Sequence, residues 1–135
     1  MAVQLSVAVR NAMMNAIETA IGTSAVLRIR TGAQPATVAT ADSGTALASM
    51  TLPSDWLSAS SAGVVSLAGS WTDASADATG TAAHYRIYAS DGTTAHIQGN
   101  VTATSGGGDI ELQNLSLAAA QAVTITTFTL TAANA

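Results

Sequence analysis

The stretch Ala82 to Val101, AAHYRIYASDGTTAHIQGNV, constrains this chain more than any other. Ala83, Tyr85 and Ile87 alternate with His84, Arg86 and Tyr88, the two-residue period of a strand with one apolar and one polar face. After Ser90-Asp91-Gly92 the alternation resumes, with Ala95, Ile97 and Val101 against His96, Gln98 and Asn100. A two-residue Asp-Gly turn would set Ile87 opposite His96 and mix the faces. A three-residue Ser-Asp-Gly loop with Gly92 left-handed instead pairs Ile87 with Ala95, Tyr85 with Ile97 and Arg86 with His96. That register is the expected one, because a one-residue slip turns every side chain over. The chain therefore contains a half-buried antiparallel sheet with one polar face.

The remaining segments extend this pattern. Leu5 to Ile21 reads as the one helix, with Ser6 as N-cap and Gly22 as its stop. Val9, Met13, Ile17 and Ile21 form its apolar stripe, widened by Met14 and Ala20, and Arg10, Asn11, Asn15 and Glu18 take the other side. Such a stripe can dock a partner, but packing on the domain's own sheet is its commoner use. Ala25 to Thr31 is a strand with Leu27 and Ile29 inward and Arg28 and Arg30 outward. Gly32 to Gly44 is a loop without period, Thr45 to Leu52 a strand closed by Pro53, and Gly63 to Trp71 a strand with Val65, Leu67 and Trp71 on one face. Trp56 and Leu57 are expected to plug one end of the core. The triglycine Gly106-Gly107-Gly108 reads as a flexible connection, and Asp109 to Gln113 as a short strand. The last run, Ala122 to Ala132, changes parity between Val123/Ile125 and Phe128/Leu130, which a bulge near Thr126-Thr127 would reconcile. Roughly seven strands and one helix point to an antiparallel sandwich or jelly roll in a single domain spanning residues 1–135.

Composition limits what such a domain can do. Only 9% of the 135 residues are charged, there is no Lys, and Arg10, Arg28, Arg30 and Arg86 are the only basic residues besides two histidines. A nucleic-acid surface needs far more cation. Alanine accounts for 30 residues, while Val, Ile, Leu and Phe together number 27, so the core is thin and the surface rich in Ala, Ser and Thr. Small uncharged side chains suit contact with other protein in a standing assembly, and equally a Thr-rich extracellular β-domain. With no cysteine, thiolate chemistry and disulfides are excluded. No apolar run is long enough to span a bilayer and no signal peptide is visible, so no membrane partner is expected.

Candidate chemistry is sparse. His84 and His96 fall on one polar face, but no carboxylate matches them and Arg86 would repel a cation, so no metal is expected. Asp73 and Asp77 lie in TDASADATG, where Asp with Ser, Thr and Gly is ordinary turn chemistry. No Ser stands in a nucleophile elbow and the triglycine is followed by no Lys and no helix, so neither a catalytic site nor a cofactor is expected. The candidates that remain are partner contacts: Arg28 and Arg30 at alternate positions, which could grip carboxylates, His84 and Arg86 on the hairpin, and Trp56 as an interface anchor.

Several segments taken in order carry a resemblance: LSVAVRNAMMNAIETAIG, AVLRIRTGAQPA, TALASMTLPS, SADATGTAAHYRIYASDGTTAHIQGNV and GGDIELQNLSLAAAQAVTITTFTLTAANA. Together they resemble a group of small proteins encoded among the virion genes of tailed bacteriophages and prophages. Asp55 to Ser70 is the least matched part. Some of that group are similar to jelly-roll proteins that decorate and cement phage heads. The resemblance implies a structural, non-enzymatic virion protein on the outer capsid surface, made in the bacterial host cytoplasm. Its partners would be the major capsid protein and its own copies, as a dimer or trimer. It brings no catalytic residues. A tail or neck component and a carbohydrate-binding or adhesion module are the alternatives.

Overall fold

A computed structural model describes residues 3–133. The fold is mainly β, with one helix and a curled sheet. Its helix, α1 (Val7–Ile21), starts where Ser6 accepts the Val9 N–H at 3.2 Å and stops at Gly22, whose φ of +91° no other residue adopts easily.

The curled sheet has five strands. β1 (Val26–Arg30) sits between β2 (Ala46–Thr51) and β6 (His84–Tyr88), and β7 (Ala95–Ala103) and β8 (Ile110–Leu112) follow on the far side of β6. Among the described residues, three short ribbons complete the fold. β3 (Val64–Ser66) pairs with β11 (Thr129–Thr131), β4 (Trp71–Asp73) with β10 (Val123–Ile125), and β5 (Gly80–Thr81) with β9 (Ser116–Leu117). β4 lies along β2, where the Ser49 N–H donates to the Asp73 carboxylate at 2.9 Å and the Asp77 N–H to the Leu47 carbonyl at 2.7 Å. Its partner β10 returns beside β8. The sheet therefore curls around one apolar core.

That core collects the residues whose alternation marked them: Leu27, Ile29, Leu47, Met50, Val65, Tyr85, Ile87, Ile110 and Ile125 are all buried. A chain of rings runs through it, with Trp56 6.0 Å from Trp71, Trp71 5.2 Å from Phe128, and Phe128 edge-on to Tyr85 at 5.7 Å. Such pairs add about 0.5–1.5 kcal/mol each beyond the area they bury.

The hairpin register differs from the expected one. Ile87 faces Ile97, Tyr85 faces Gly99 and Arg86 faces Gln98, with Tyr88 opposite Ala95 across a bulge at His96. The turn is longer than Ser-Asp-Gly: Ala89 N–H donates to Thr94 O, and Asp91 accepts from the N–H groups of Thr93 and Thr94. The slip is two residues, so the faces are as expected although the pairs are not. It also explains Gly99: a Cβ there would stand 2.7 Å from the Tyr85 ring and closer still to the Asp109 carboxylate.

Two expected strands are broken. The runs 63–71 and 122–132 each split, and residues 68–70 of one oppose 126–127 of the other between the Leu67 N–H to Phe128 O bond and the Trp71–Ile125 pair. The parity change therefore arises between two short strands, not at a bulge within one, and Val123, Ile125 and Phe128 still reach the core with Leu130 packed against it. The triglycine is no loose tether. Residues 104–109 fold back tightly enough to set β8 parallel to β7, a connection that normally takes a dozen residues or more. Glycine permits it, because a Cβ at Gly106 or Gly108 would meet the Thr102 side chain at 2.7–2.8 Å. The Glu111 carboxylate fixes the turn by accepting the N–H groups of Ser105 and Gly107, both at 3.0 Å.

The helix is rotated by part of a turn relative to expectation, so that one edge of its apolar stripe reaches the core and the other does not. Met14 and Ile21 are buried and Ile17 packs on the core, but Val9 and Met13 stand about half exposed. Beside that apolar edge, the polar side also faces the protein. Glu18 accepts the N–H groups of Trp56 and Leu57, Asn15 that of Ser60 and Asn11 that of Gly63, while Arg10 donates to the carbonyls of Ala62 and Ala132. The irregular segment 56–63 carries backbone donors that no strand satisfies. A helix offering carboxylate and amide oxygens is what satisfies them.

Candidate functional site

Four of the five candidate contacts gather on one surface, the outer face of β1 and β6, where Arg28 pairs with Arg86 and Arg30 with His84. The loop 32–44 folds back over this face. Arg86 lies beneath it with a side chain only 2% exposed, its Nη1 2.5 Å from Asp42 Oδ1 and its Nη2 2.7 Å from the Val38 carbonyl. Tyr88 donates to the same Asp42 oxygen at 2.8 Å. Arg30 approaches the other carboxylate oxygen at 3.4 Å and donates to the carbonyls of Ser43 and Gly44. Gln98 holds the loop at the Pro35 carbonyl, and His84 Nδ1 lies 2.8 Å from the Gly32 carbonyl. Arg30, His84, Arg86, Tyr88 and Gln98 therefore all grip the chain's own loop from this face. All of β6 is buried, on both faces, so this strand of the expected half-buried hairpin is covered twice over, while His96 and Asn100 of β7 stay exposed.

The electrostatics follow from that enclosure. Burial opposes charge on Asp42, but the hydrogen bonds from Tyr88 and Arg86 and the charges of Arg30 and Arg86 outweigh it and hold its carboxyl below the ordinary range. Burial lowers the His84 pKa, the bond to Gly32 pulls the other way, and Arg30 and Arg86 lower it further, so the ring is neutral with Nδ1 as its donor. Burial, then the bond to anionic Asp42, raises the Tyr88 hydroxyl.

These positions correct the candidate list. His84 and Arg86 are buried and have no surface to offer a partner. Trp56 is fully buried as well, with its Nε1 donating to the Gly22 carbonyl at 3.3 Å, so it is a core residue and not an interface anchor. Arg28 and Arg30 remain partly exposed, yet both are engaged: Arg28 lies over the Tyr88 ring at 4.9 Å and donates to the Gly92 carbonyl at 2.6 Å. His84 and His96 do not converge, since His84 faces Asn100 and His96 stands exposed at the bulge. Asp73 and Asp77 lie at the β2–β4 seam, where Asp73 also accepts the Ser75 N–H as turn residues do. Among the described residues, no three His, Asp or Glu side chains group closely enough to hold a metal ion, and no helix is long and apolar enough to cross a membrane.

Asp42 is the residue the sequence did not single out. The available signal was a long loop beside a strand face carrying Arg28, Arg30, His84 and Arg86 with no counter-charge of its own. Two open depressions complete the surface. One, of about 520 Å³, lies between residues 38–42 and the turn 92–95, with Arg28, Asp42 and Arg86 in its lining. The other, of about 620 Å³, runs between β8 and β10 and is lined by amide and hydroxyl side chains such as Gln113, Asn114, Gln121 and Thr124. Comparison of the chain with protein-family models, curated proteins and solved structures found no match.

Proposed function

We propose that this chain is a structural virion protein, a capsid decoration or cement protein that binds the outer shell. There it bridges neighbouring major capsid protein subunits and stabilises the head. On this reading the curled sheet and its ribbons are a sandwich or jelly roll, and adhesion is the whole mechanism. The observation that carries the proposal is where the charge goes. Arg10, Arg28, Arg30 and Arg86 all donate to carbonyls of the chain's own backbone. The surface that remains is dominated by small uncharged Ala, Ser and Thr side chains, so contact with other protein would bury few charges, the groups whose desolvation costs most. The sequence resemblance to virion proteins points the same way. A carbohydrate-binding module is less well supported, because all five aromatic residues are buried and leave no exposed ring for a sugar to stack on.

Cryo-electron microscopy of particles assembled with and without this chain tests the proposal. Loss of density from the outer shell, with the head still closed, is the expected result. An unchanged head with missing tail or neck density would replace the decoration role by a tail role, and identical particles would overturn the virion reading.

A further inference from the structure

Among the described residues, Arg28 is the arginine of the sheet that no carboxylate reaches, since Arg30 and Arg86 both engage Asp42. It stands at the margin of the depression between residues 38–42 and the turn 92–95, with Asp42 and Arg86 also in the lining. Its guanidinium is braced on two sides, by the Tyr88 ring 4.9 Å from Cζ and by the Gly92 carbonyl, which accepts from Nη1. Nε and Nη2 make no bond within the described chain, and both reach solvent. Gly92 keeps that edge open, because a Cβ there would stand 3.0 Å from Nη2.

We propose that this depression is a carboxylate site, in which Arg28 receives an acidic side chain of a partner protein through paired bonds from Nε and Nη2. The inference rests on the virion reading only for the identity of that partner, a shell subunit. Charge selects the occupant first. Asp42 is already held by Arg86 and Tyr88 through one oxygen and approached by Arg30 through the other. Asp91, in the adjoining turn, is taken up by the N–H groups of Thr93 and Thr94 and by the Thr94 hydroxyl. Three guanidinium groups thus stand against two carboxylates, and the unmatched charge is that of Arg28. A monoanion balances it, whereas a phosphate dianion would overshoot and meet Asp42 in the lining. Geometry agrees, because the Nε and Nη2 donors of one guanidinium point in parallel and match the two oxygens of a carboxylate. The braced guanidinium also has little rotamer freedom left to lose on binding. The volume of about 520 Å³ lies within the ~300–1,000 Å³ range of ligand pockets, room for an acidic side chain with its flanking backbone.

The test uses the full chain in solution, without particles, so its failure is distinct from failure of the virion reading. A capped Gly-Glu-Gly peptide is titrated while the Nε–Hε signals of the four arginines are followed by nuclear magnetic resonance. Capped Gly-Gln-Gly and inorganic phosphate, at equal ionic strength, are the comparators. The glutamate peptide should shift the Arg28 signal and the Thr93 and Thr94 amides saturably, binding roughly tenfold tighter than the glutamine peptide, as a charge-assisted pair requires. Arg28→Lys keeps the charge without the fork and should bind about threefold more weakly. Arg28→Gln should abolish the response. Equal shifts from the two peptides, or shifts centred on another arginine, would overturn the site. Tighter binding of phosphate than of the glutamate peptide would overturn the choice of a carboxylate, and a lysine variant that binds as well as the wild type would overturn the paired bonds. The two peptides on the unaltered chain decide the question even where a variant loses its fold.

Discussion

Asp42 and Arg86, 44 residues apart in the chain, meet at 2.5 Å beneath a loop of small residues. That contact converts the outer face of the sheet from a candidate binding surface into an interior. Arg86 cannot be rehydrated without lifting the loop, because it also holds the carbonyls of Thr37 and Val38.

Asp42→Ala should therefore destabilise the protein by about 3 kcal/mol, because it leaves a buried guanidinium without its anion. Urea unfolding gives the loss, and hydrogen exchange should show residues 32–44 opening first. Arg28→Ala should cost only about 1 kcal/mol, since it removes one partly exposed contact to Gly92 and the Tyr88 ring. Equal losses for the two variants would mean that the loop is not held chiefly by Asp42.

Stability should depend on pH through His84. Its pKa is lowered by burial in the folded protein, so the unfolded chain binds the proton more readily. The contribution is complete above the unfolded value of about 6.5 and is lost as pH falls below it toward the folded value. The depressed pKa of Asp42 adds a second, more acidic loss, as pH falls from its ordinary value of 3.8 through the folded one. Denaturation midpoints measured at intervals from about pH 8 to pH 5 isolate the first component. His84→Gln should flatten the curve in that window.

Gly99→Ala should destabilise by about 2 kcal/mol, the range for forcing extra atoms into a packed site. The new methyl would strike the Tyr85 ring and the Asp109 carboxylate. Thermal unfolding checks this, and Asp109→Ala in the same chain should recover only the carboxylate part of the loss, since Tyr85 remains in place.

Glu18→Ala should cost about 2 kcal/mol by leaving the Trp56 and Leu57 N–H groups without an acceptor. Glu18→Gln keeps an acceptor oxygen and should cost less than half as much. Near-ultraviolet circular dichroism should report a changed Trp56 environment in the alanine variant alone.

The sequence by itself determined the element types and most of the core. Strand alternation and helix caps are local properties of the backbone, which is why Leu27, Ile29, Tyr85, Ile87 and Ile110 were legible as inward and why Ser6 and Gly22 bounded the helix. Only the tertiary structure decided what lay outside those elements. Alternation says that Arg86 and His84 point away from Ile87, but not whether they meet water or the chain's own loop. Periodicity gave α1 one apolar stripe, but the unpaired backbone donors of Trp56, Leu57, Ser60 and Gly63 drew its polar residues inward, so that only Met14, Ile17 and Ile21 of the stripe stayed on the core. Each of those outcomes depends on contacts more than thirty residues distant. No window of sequence contains both partners, so the surface that appeared chemically richest became interior and an alanine-rich helix face was left to the solvent.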